Sequence, residues 1–145
     1  MKIVLQRVLA AEVKVEGEVA GSIGRGYVLL LGVGQGDTEA SALKLANKVH
    51  SLRIFPDAAG KTNLSAADID GEVLVISQFT LYADCKKGSR PSFTEAAGPE
   101  LAKALYAYFV TLCETRFAKT AQGIFGADMK VSLINDGPFT LTLEA

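Results

Sequence analysis

Hydrophobic positions along the chain first alternate with polar ones, then run together, and then recur at helical spacing. Ile3 to Val8 and the stretch "AEVKVEG", with Val13 and Val15 on one face, read as half-buried strands. Glu16-Gly17 is a two-residue turn signal, and "EVAGSIG" continues beyond it as another strand. The run "YVLLLGV" has no polar alternation, which predicts a strand covered on both faces. Asp37 and Thr38 are helix N-cap types, and Ala42, Leu45, Val49 and Leu52 then form one apolar stripe of a helix that ends before Pro56. A polar, irregular segment follows from Asp57 to Asp70. "EVLVISQFTLYAD" reads as a second long strand, and "CKKGSRPSF" as a loop. Pro99 opens a second amphipathic helix marked by Leu101, Ala104, Leu105, Tyr108, Phe109 and Leu112. From Met129 the period returns to two through Val131, Leu133, Phe139, Leu141 and Leu143. The expected fold class is α/β, in the α+β sense: one domain over residues 1–145, with a mixed sheet and two main helices.

Composition narrows the classes of function. The 145 residues are 49% hydrophobic, enough for one core and too few for two ordinary domains. With a formal net charge of -1, no overall positive field draws in nucleic acid or an anionic membrane, so any such contact is local. The N-terminal stretch lacks the apolar core of a signal peptide, no window reaches membrane-spanning length, and Cys85 and Cys113 form no metal or disulfide pattern. These readings lead to an expectation of a cytoplasmic protein with no membrane partner, no metal and no cofactor.

Familiar motifs fail on spacing. "GVGQGD" places Asp37 where a dinucleotide fingerprint needs its third glycine, and a carboxylate there opposes a pyrophosphate. "GKT" at Gly60 to Thr62 lacks the first glycine of a phosphate-binding loop, which is Phe55 here. His50, the only histidine, falls on the first predicted helix, far in sequence from any hydroxyl candidate. Cys85 lies beside two lysines but has no histidine near it in sequence. The remaining chemistry belongs to hydroxyls, amides, backbone groups or the substrate itself.

Two segments stand out. Ser77, Gln78 and Thr80 follow one another in a strand expected to be buried, where an unpaired polar group costs about 1 to 3 kcal/mol. Read as a strand, the pleat sends Ser77 and Phe79 to one face and Gln78 and Thr80 to the other. Two readings stay open: hydroxyls bonded to backbone at a sheet edge, or donors lining a pocket at a strand end. In "NDGPFT", Asp136-Gly137 is a hairpin signal, yet Pro138 has no N–H for the ladder. An edge hairpin with proline opening the last strand competes with a fixed backbone corner facing a ligand.

"SQFTLYAD" and "NDGPFT" resemble the Ser-Gln-x-x-Leu and Asn-x-Gly-Pro-x-Thr motifs of the D-aminoacyl-tRNA deacylases. "MKIVLQRV", "KKGSRPSF" and "GIFGADMKVSLINDGPFT" are similar to that family as well, so the resemblance spans essentially the whole chain. It implies a β-barrel-like sheet core, a homodimer with shared active sites, and hydrolysis of the ester between a D-amino acid and the acceptor end of tRNA. It further implies that Gly137 and Pro138, joined by a cis bond, enter the site of the partner subunit and accept hydrogen bonds from the substrate amino group, which excludes L-residues and admits glycine. Gln78 and the Phe79 N–H would hold the ester oxygen, with Ser77 in support and Thr80 beside the ester. The 2'-hydroxyl of the terminal adenosine would assist, and Thr80 as nucleophile ranks second. Phe125 and Met129 align with walls of an adenine pocket, a role their residue types share with plain core packing. Arg7 and the cluster Lys86, Lys87 and Arg90 would meet tRNA phosphates, while a solvated charged loop fits the same residues.

Overall fold

The computed structural model describes residues 1–145. Its sheet grows from one strand, β1 (Lys2–Val15), which has neighbours on both sides over most of its length. The N-terminal half of β1 pairs antiparallel with β3 (Gly26–Gly32), and the C-terminal half with β2 (Glu18–Ile23). The other edge of β1 pairs with β8 (Lys130–Glu144). β6 (Glu72–Ser77) adds parallel to β3, and β7 (Lys119–Gln122) parallel to β6. β2 and β7 then approach so closely that a Cβ on Gly21 would lie 2.8 Å from the Gln122 carbonyl oxygen. The sheet is therefore a nearly closed, barrel-like curl of mixed direction.

Helices α1 (Glu39–Ser51) and α2 (Pro99–Glu114) cover the outside of the curl. Alternation along β3 explains its unbroken apolar run: Tyr27, Leu29 and Leu31 pack with Ala42, Leu45 and Val49 of α1 and Leu105 and Phe109 of α2, whereas Val28 faces Val8, Val13, Leu74 and Ile76 inside. Each such side chain, fully buried, contributes about 1.5 to 3 kcal/mol. A small hairpin of β4 (Arg53–Pro56) and β5 (Thr62–Ser65) projects beyond α1.

Four local expectations need correction. Ile3–Val8 and "AEVKVEG" are one strand, because a register shift in its pairing with β8 lets the ladder continue past Val8. The polar segment after Pro56 contains β5, held by backbone and side-chain bonds from Arg53 to Asn63 rather than by apolar alternation. The buried face of α2 is Ala102, Leu105, Tyr106, Phe109, Val110 and Cys113, one residue round from the expected stripe. α2 is apolar on several faces, so spacing alone does not orient it. The long strand expected through Asp84 ends at Ser77.

Candidate active site

β3 stops at Gly32, so β6 has no ladder partner beyond the Leu31–Ser77 pair. The Gln78 N–H makes one last bond to the Leu31 carbonyl at 2.8 Å, and the chain then turns into the 3₁₀ turn Phe79–Tyr82. Glycine at position 32 permits that turn, because a Cβ there would lie 3.0 Å from the Gln78 carbonyl oxygen and 3.1 Å from the Leu81 Cβ. The expected strand pleat thus does not apply to Gln78, Phe79 and Thr80. Leu81 N–H bonds the Gln78 carbonyl, which leaves the N–H groups of Phe79 and Thr80 without a partner inside the turn. The Gln78 side-chain amide donates to the Thr80 hydroxyl, so these two polar side chains share a side of the turn.

In front of the turn lies a cavity of about 560 Å³. Ser77, Gln78 and Phe79 line it together with Phe125 and Met129, and Ile76, Ala102 and Val131 contribute apolar lining. Met129 is seated against Gly123, where any Cβ would collide with the thioether sulfur. Phe125 packs on Tyr106, ring centroids 5.7 Å apart, and the Tyr106 hydroxyl donates to the Val75 carbonyl at 2.9 Å. Burial pushes the Tyr106 phenol up to about 12, so it stays a neutral donor. Phe79 is 57% exposed and meets Phe93 edge to face at 5.0 Å. Thr80 belongs to the turn but does not line the cavity.

Gly137 and Pro138 are elsewhere in the same chain. No hairpin forms at "NDGPFT": β8 runs through it as a single strand, and the Gly137-Pro138 bond is cis. Gln6 pairs with Thr140 and Val8 with Asn135, so two steps along β1 face five along β8, and the surplus residues loop out as an exposed bulge. Asn135 ties the base of the bulge, accepting from the Phe139 N–H at 2.6 Å and donating to the Phe139 carbonyl at 3.3 Å and the Thr140 hydroxyl at 3.2 Å. Gly137 has φ +151°, and a Cβ there would lie 2.7 Å from the Phe139 nitrogen.

Arg7 stands opposite the bulge and holds it from behind. Its guanidinium donates to the Asp136 carbonyl at 2.9 Å and to the Ile54 carbonyl, pairs with the Asp136 carboxylate at 3.3 Å, and lies 4.6 Å over the Phe139 ring. Arg7 is 8% exposed, with its guanidinium engaged by these groups. Lys86, Lys87 and Arg90 are exposed in the loop after the turn. His50 packs edge-on against Phe117 in the helical layer and does not line the cavity.

Register fixes how far apart the two motifs lie. Arg7, beside the bulge, pairs with Tyr27, and Tyr27 with Val73, four residues before Ser77 on β6. Three strand spacings and four residues of rise separate them by roughly 20 Å along the sheet. One chain therefore does not bring Gly137-Pro138 to its own cavity. Polar residues in an apolar strand and a proline after a hairpin signal had drawn attention to the two motifs; the brace formed by Arg7, Asn135 and Asp136 was missed, because the Arg7–Asp136 bonds run between residues far apart in sequence.

The site elements are thus an amide-rich turn where β6 ends and a Gly-cisPro bulge within β8, both carried by one nearly closed mixed sheet. The family model described as D-Tyr-tRNA(Tyr) deacylase matches residues 4–144. D-aminoacyl-tRNA deacylases are 56% identical in Pelobacter propionicus, covering 99% of this chain and 99% of the relative, and 52% identical in Thermosipho africanus, covering 100% and 97%. Among solved structures, the c-Myc DNA Unwinding Element Binding Protein superposes with a TM-score of 0.93 at 40% identity, covering 100% of this chain and 99% of that one. A probable eukaryotic D-amino acid tRNA deacylase shares the fold, with a TM-score of 0.88 at 14% identity over 99% and 98% of the two chains. The chain belongs to the D-Tyr-tRNA(Tyr) deacylase family.

Proposed function

We propose that this enzyme, a D-aminoacyl-tRNA deacylase, works through sites shared between two copies of the chain, each pairing the cavity of one subunit with the Gly137-Pro138 bulge of the other. The roughly 20 Å between the two motifs within one subunit carries this reading. Exposed Leu9 and Ile134 on β1 and β8, and Phe79 at the cavity with Phe93 packed on it, supply apolar surface for a partner copy.

In the proposed reaction the terminal adenosine of tRNA enters between Phe125 and Met129, and the ester carbonyl meets Gln78 and the Phe79 N–H. Ser77 supports this wall, and Thr80 orients the Gln78 amide to which it is bonded. Water adds to the carbonyl carbon, the acyl C–O bond breaks, and the ribose oxygen leaves with a proton. The fixed donors stabilise the oxyanion between these steps. The 2'-hydroxyl of the terminal ribose assists the proton transfer; His50 lies in the helical layer and takes no part. The partner's bulge presents main-chain carbonyls to the α-amino group. A D-side chain then points to solvent, an L-side chain meets backbone, and glycine, with no side chain, is admitted. Lys86, Lys87 and Arg90 stand beside the turn where tRNA phosphates would pass.

Incubation with D-Tyr-tRNA and with L-Tyr-tRNA, each with and without EDTA, tests the reading. Rapid loss of the D-ester alone is expected. Equal cleavage of both sinks the chiral filter, and loss of activity in EDTA sinks the metal-free mechanism. A second reading, a nucleic-acid-binding dimer without turnover, has in its favour the 40% identical structure whose name refers to DNA binding. Cleavage of neither ester, with tRNA still bound, would establish it.

A further inference from the structure

The proposed reaction gives no role to "GVGQGD", Gly32 to Asp37, yet this segment forms the support on which the cavity's polar wall is mounted. Gly34 lies under the Tyr82 ring, where a Cβ would come within 2.7 Å of three ring and hydroxyl atoms. The buried Asp37 carboxylate accepts from the Gly34 N–H at 2.7 Å and from the Tyr82 hydroxyl at 3.3 Å, and is ion-paired with the Met1 α-ammonium. Lys2 places its ammonium 4.9 Å over the same ring. Tyr82 closes the 3₁₀ turn that Phe79 opens, and the Gln78 N–H anchors the start of that turn to Leu31. Both ends of the turn are thus tied to residues 31–37. The same segment holds the neighbouring wall, through Ala97 N–H to the Val33 carbonyl at 2.9 Å and Gln35 N–H to the Glu95 carbonyl at 3.2 Å.

We propose that Asp37 is a positioning residue for hydrolysis: through Tyr82 and Gly34 it fixes the height and tilt of the 3₁₀ turn, and so the aim of the Phe79 N–H and the Gln78 amide at the ester. This rests on the reading that the turn binds the ester. A carboxylate suits the task because it accepts several bonds at once, and charge-assisted bonds are about twice as strong as neutral ones. The turn has no side-chain cap of its own, so its orientation depends on this external anchor. A sub-ångström loss of aim weakens oxyanion stabilisation more than it weakens binding of the tRNA end, which uses Phe125 and Met129, cavity residues outside the turn.

Steady-state deacylation of D-Tyr-tRNA by Asp37→Ala, Asp37→Asn and Tyr82→Phe, below their melting temperatures, tests the proposal together with amide exchange across the chain. For Asp37→Ala, kcat should fall at least about tenfold with KM within about twofold, and exchange should quicken at residues 79–83 while the central strands stay protected. Tyr82→Phe keeps the ring packing and should lose about threefold to tenfold in kcat; Asp37→Asn, which keeps acceptors for both bonds, should recover part of the loss. Values of kcat within about twofold of the unmodified enzyme for Asp37→Ala and Tyr82→Phe would overturn the proposal. So would a fall in melting temperature with kcat per folded molecule unchanged. If Asp37→Ala does not fold, Tyr82→Phe decides alone. Gln78→Ala, assayed in parallel, separates the two levels: impaired Gln78→Ala beside unimpaired Asp37 and Tyr82 variants rejects only the positioning role, whereas full activity of Gln78→Ala rejects the site and the positioning role with it.

Discussion

Gln78 and Gly137 carry opposite demands. In the proposed reaction the Gln78 side chain must be present to donate, and its bond to Thr80 holds it in place. Gln78→Ala should lower kcat for D-aminoacyl-tRNA by about a hundredfold or more, the usual effect of losing one oxyanion donor, and single-turnover kinetics would measure it. Retention of most of the activity would exclude an oxyanion role. At Gly137 a side chain must be absent. A Cβ would lie 2.7 Å from the Phe139 nitrogen, so Gly137→Ala must displace the bulge, and its carbonyls with it. Because the bulge is exposed and lies at the sheet's margin, the core should survive. The expected outcome is a folded protein with a strongly raised KM; an unchanged KM in a protein with altered melting behaviour would make Gly137 a purely structural glycine.

At the scale of elements, the bulge depends on Arg7, which faces it from β1. Arg7→Ala would leave the buried Ile54 carbonyl and the Asp136 carbonyl short of a donor, at about 1 to 3 kcal/mol each. Denaturant titration should show a loss of about 3 kcal/mol, and, if the bulge sorts the two esters as proposed, preference for the D-ester over the L-ester should fall, since the bulge is no longer held. A stable variant with unaltered preference would show that Asn135 alone suffices. How much of this could be read from the sequence follows from where each interaction lies. The apolar run from Tyr27 to Val33 dictates a doubly covered strand because every position is buried or nearly so, a property written in the residues themselves. The conversion of "SQFTLY" from strand to 3₁₀ turn is not written there, because its cause is the end of β3 at Gly32, on a different strand. "NDGPFT" misleads in the same way: Asp136-Gly137 favours a hairpin locally, and the continuous ladder with β1 on both sides of the bulge overrides it. Within the site, Gln78, Phe79 and Gly137 were visible as motif residues, whereas Arg7 as a brace and Asp37 as an anchor required the assembled sheet.

For the molecule as a whole, buried phenols set one limit and the proposed shared site another. Tyr27, Tyr82 and Tyr106 all have phenols pushed above their ordinary value of 10.0, by burial first and for Tyr82 also by the Asp37 carboxylate. The folded form therefore binds these protons more tightly than the unfolded form. Their contribution is fully present below pH 10.0 and is lost as the pH rises through the folded-state values, with Cys113, raised by burial to about 12, adding to the loss from its ordinary value of 9.0 upward. Melting temperature should hold to about pH 9 and fall steadily above it, with tyrosinate absorbance appearing together with unfolding; ionisation of these phenols well before unfolding would contradict their burial. The proposed shared site is tested by mixing two impaired proteins. In a dimer of Gln78→Ala and Gly137→Ala subunits, one cavity has lost its own Gln78 and faces the altered bulge, while the other keeps Gln78 and faces an unaltered Gly137. Each heterodimer then contains one intact site of two, and random equal mixing makes half the dimers heterodimers, so activity should recover to about a quarter of the unmodified level. Sites complete within single chains would give no recovery at all, even with heterodimers demonstrated by native mass spectrometry. The roughly 20 Å that register places between bulge and cavity favours the first outcome, since no side chain bridges that span.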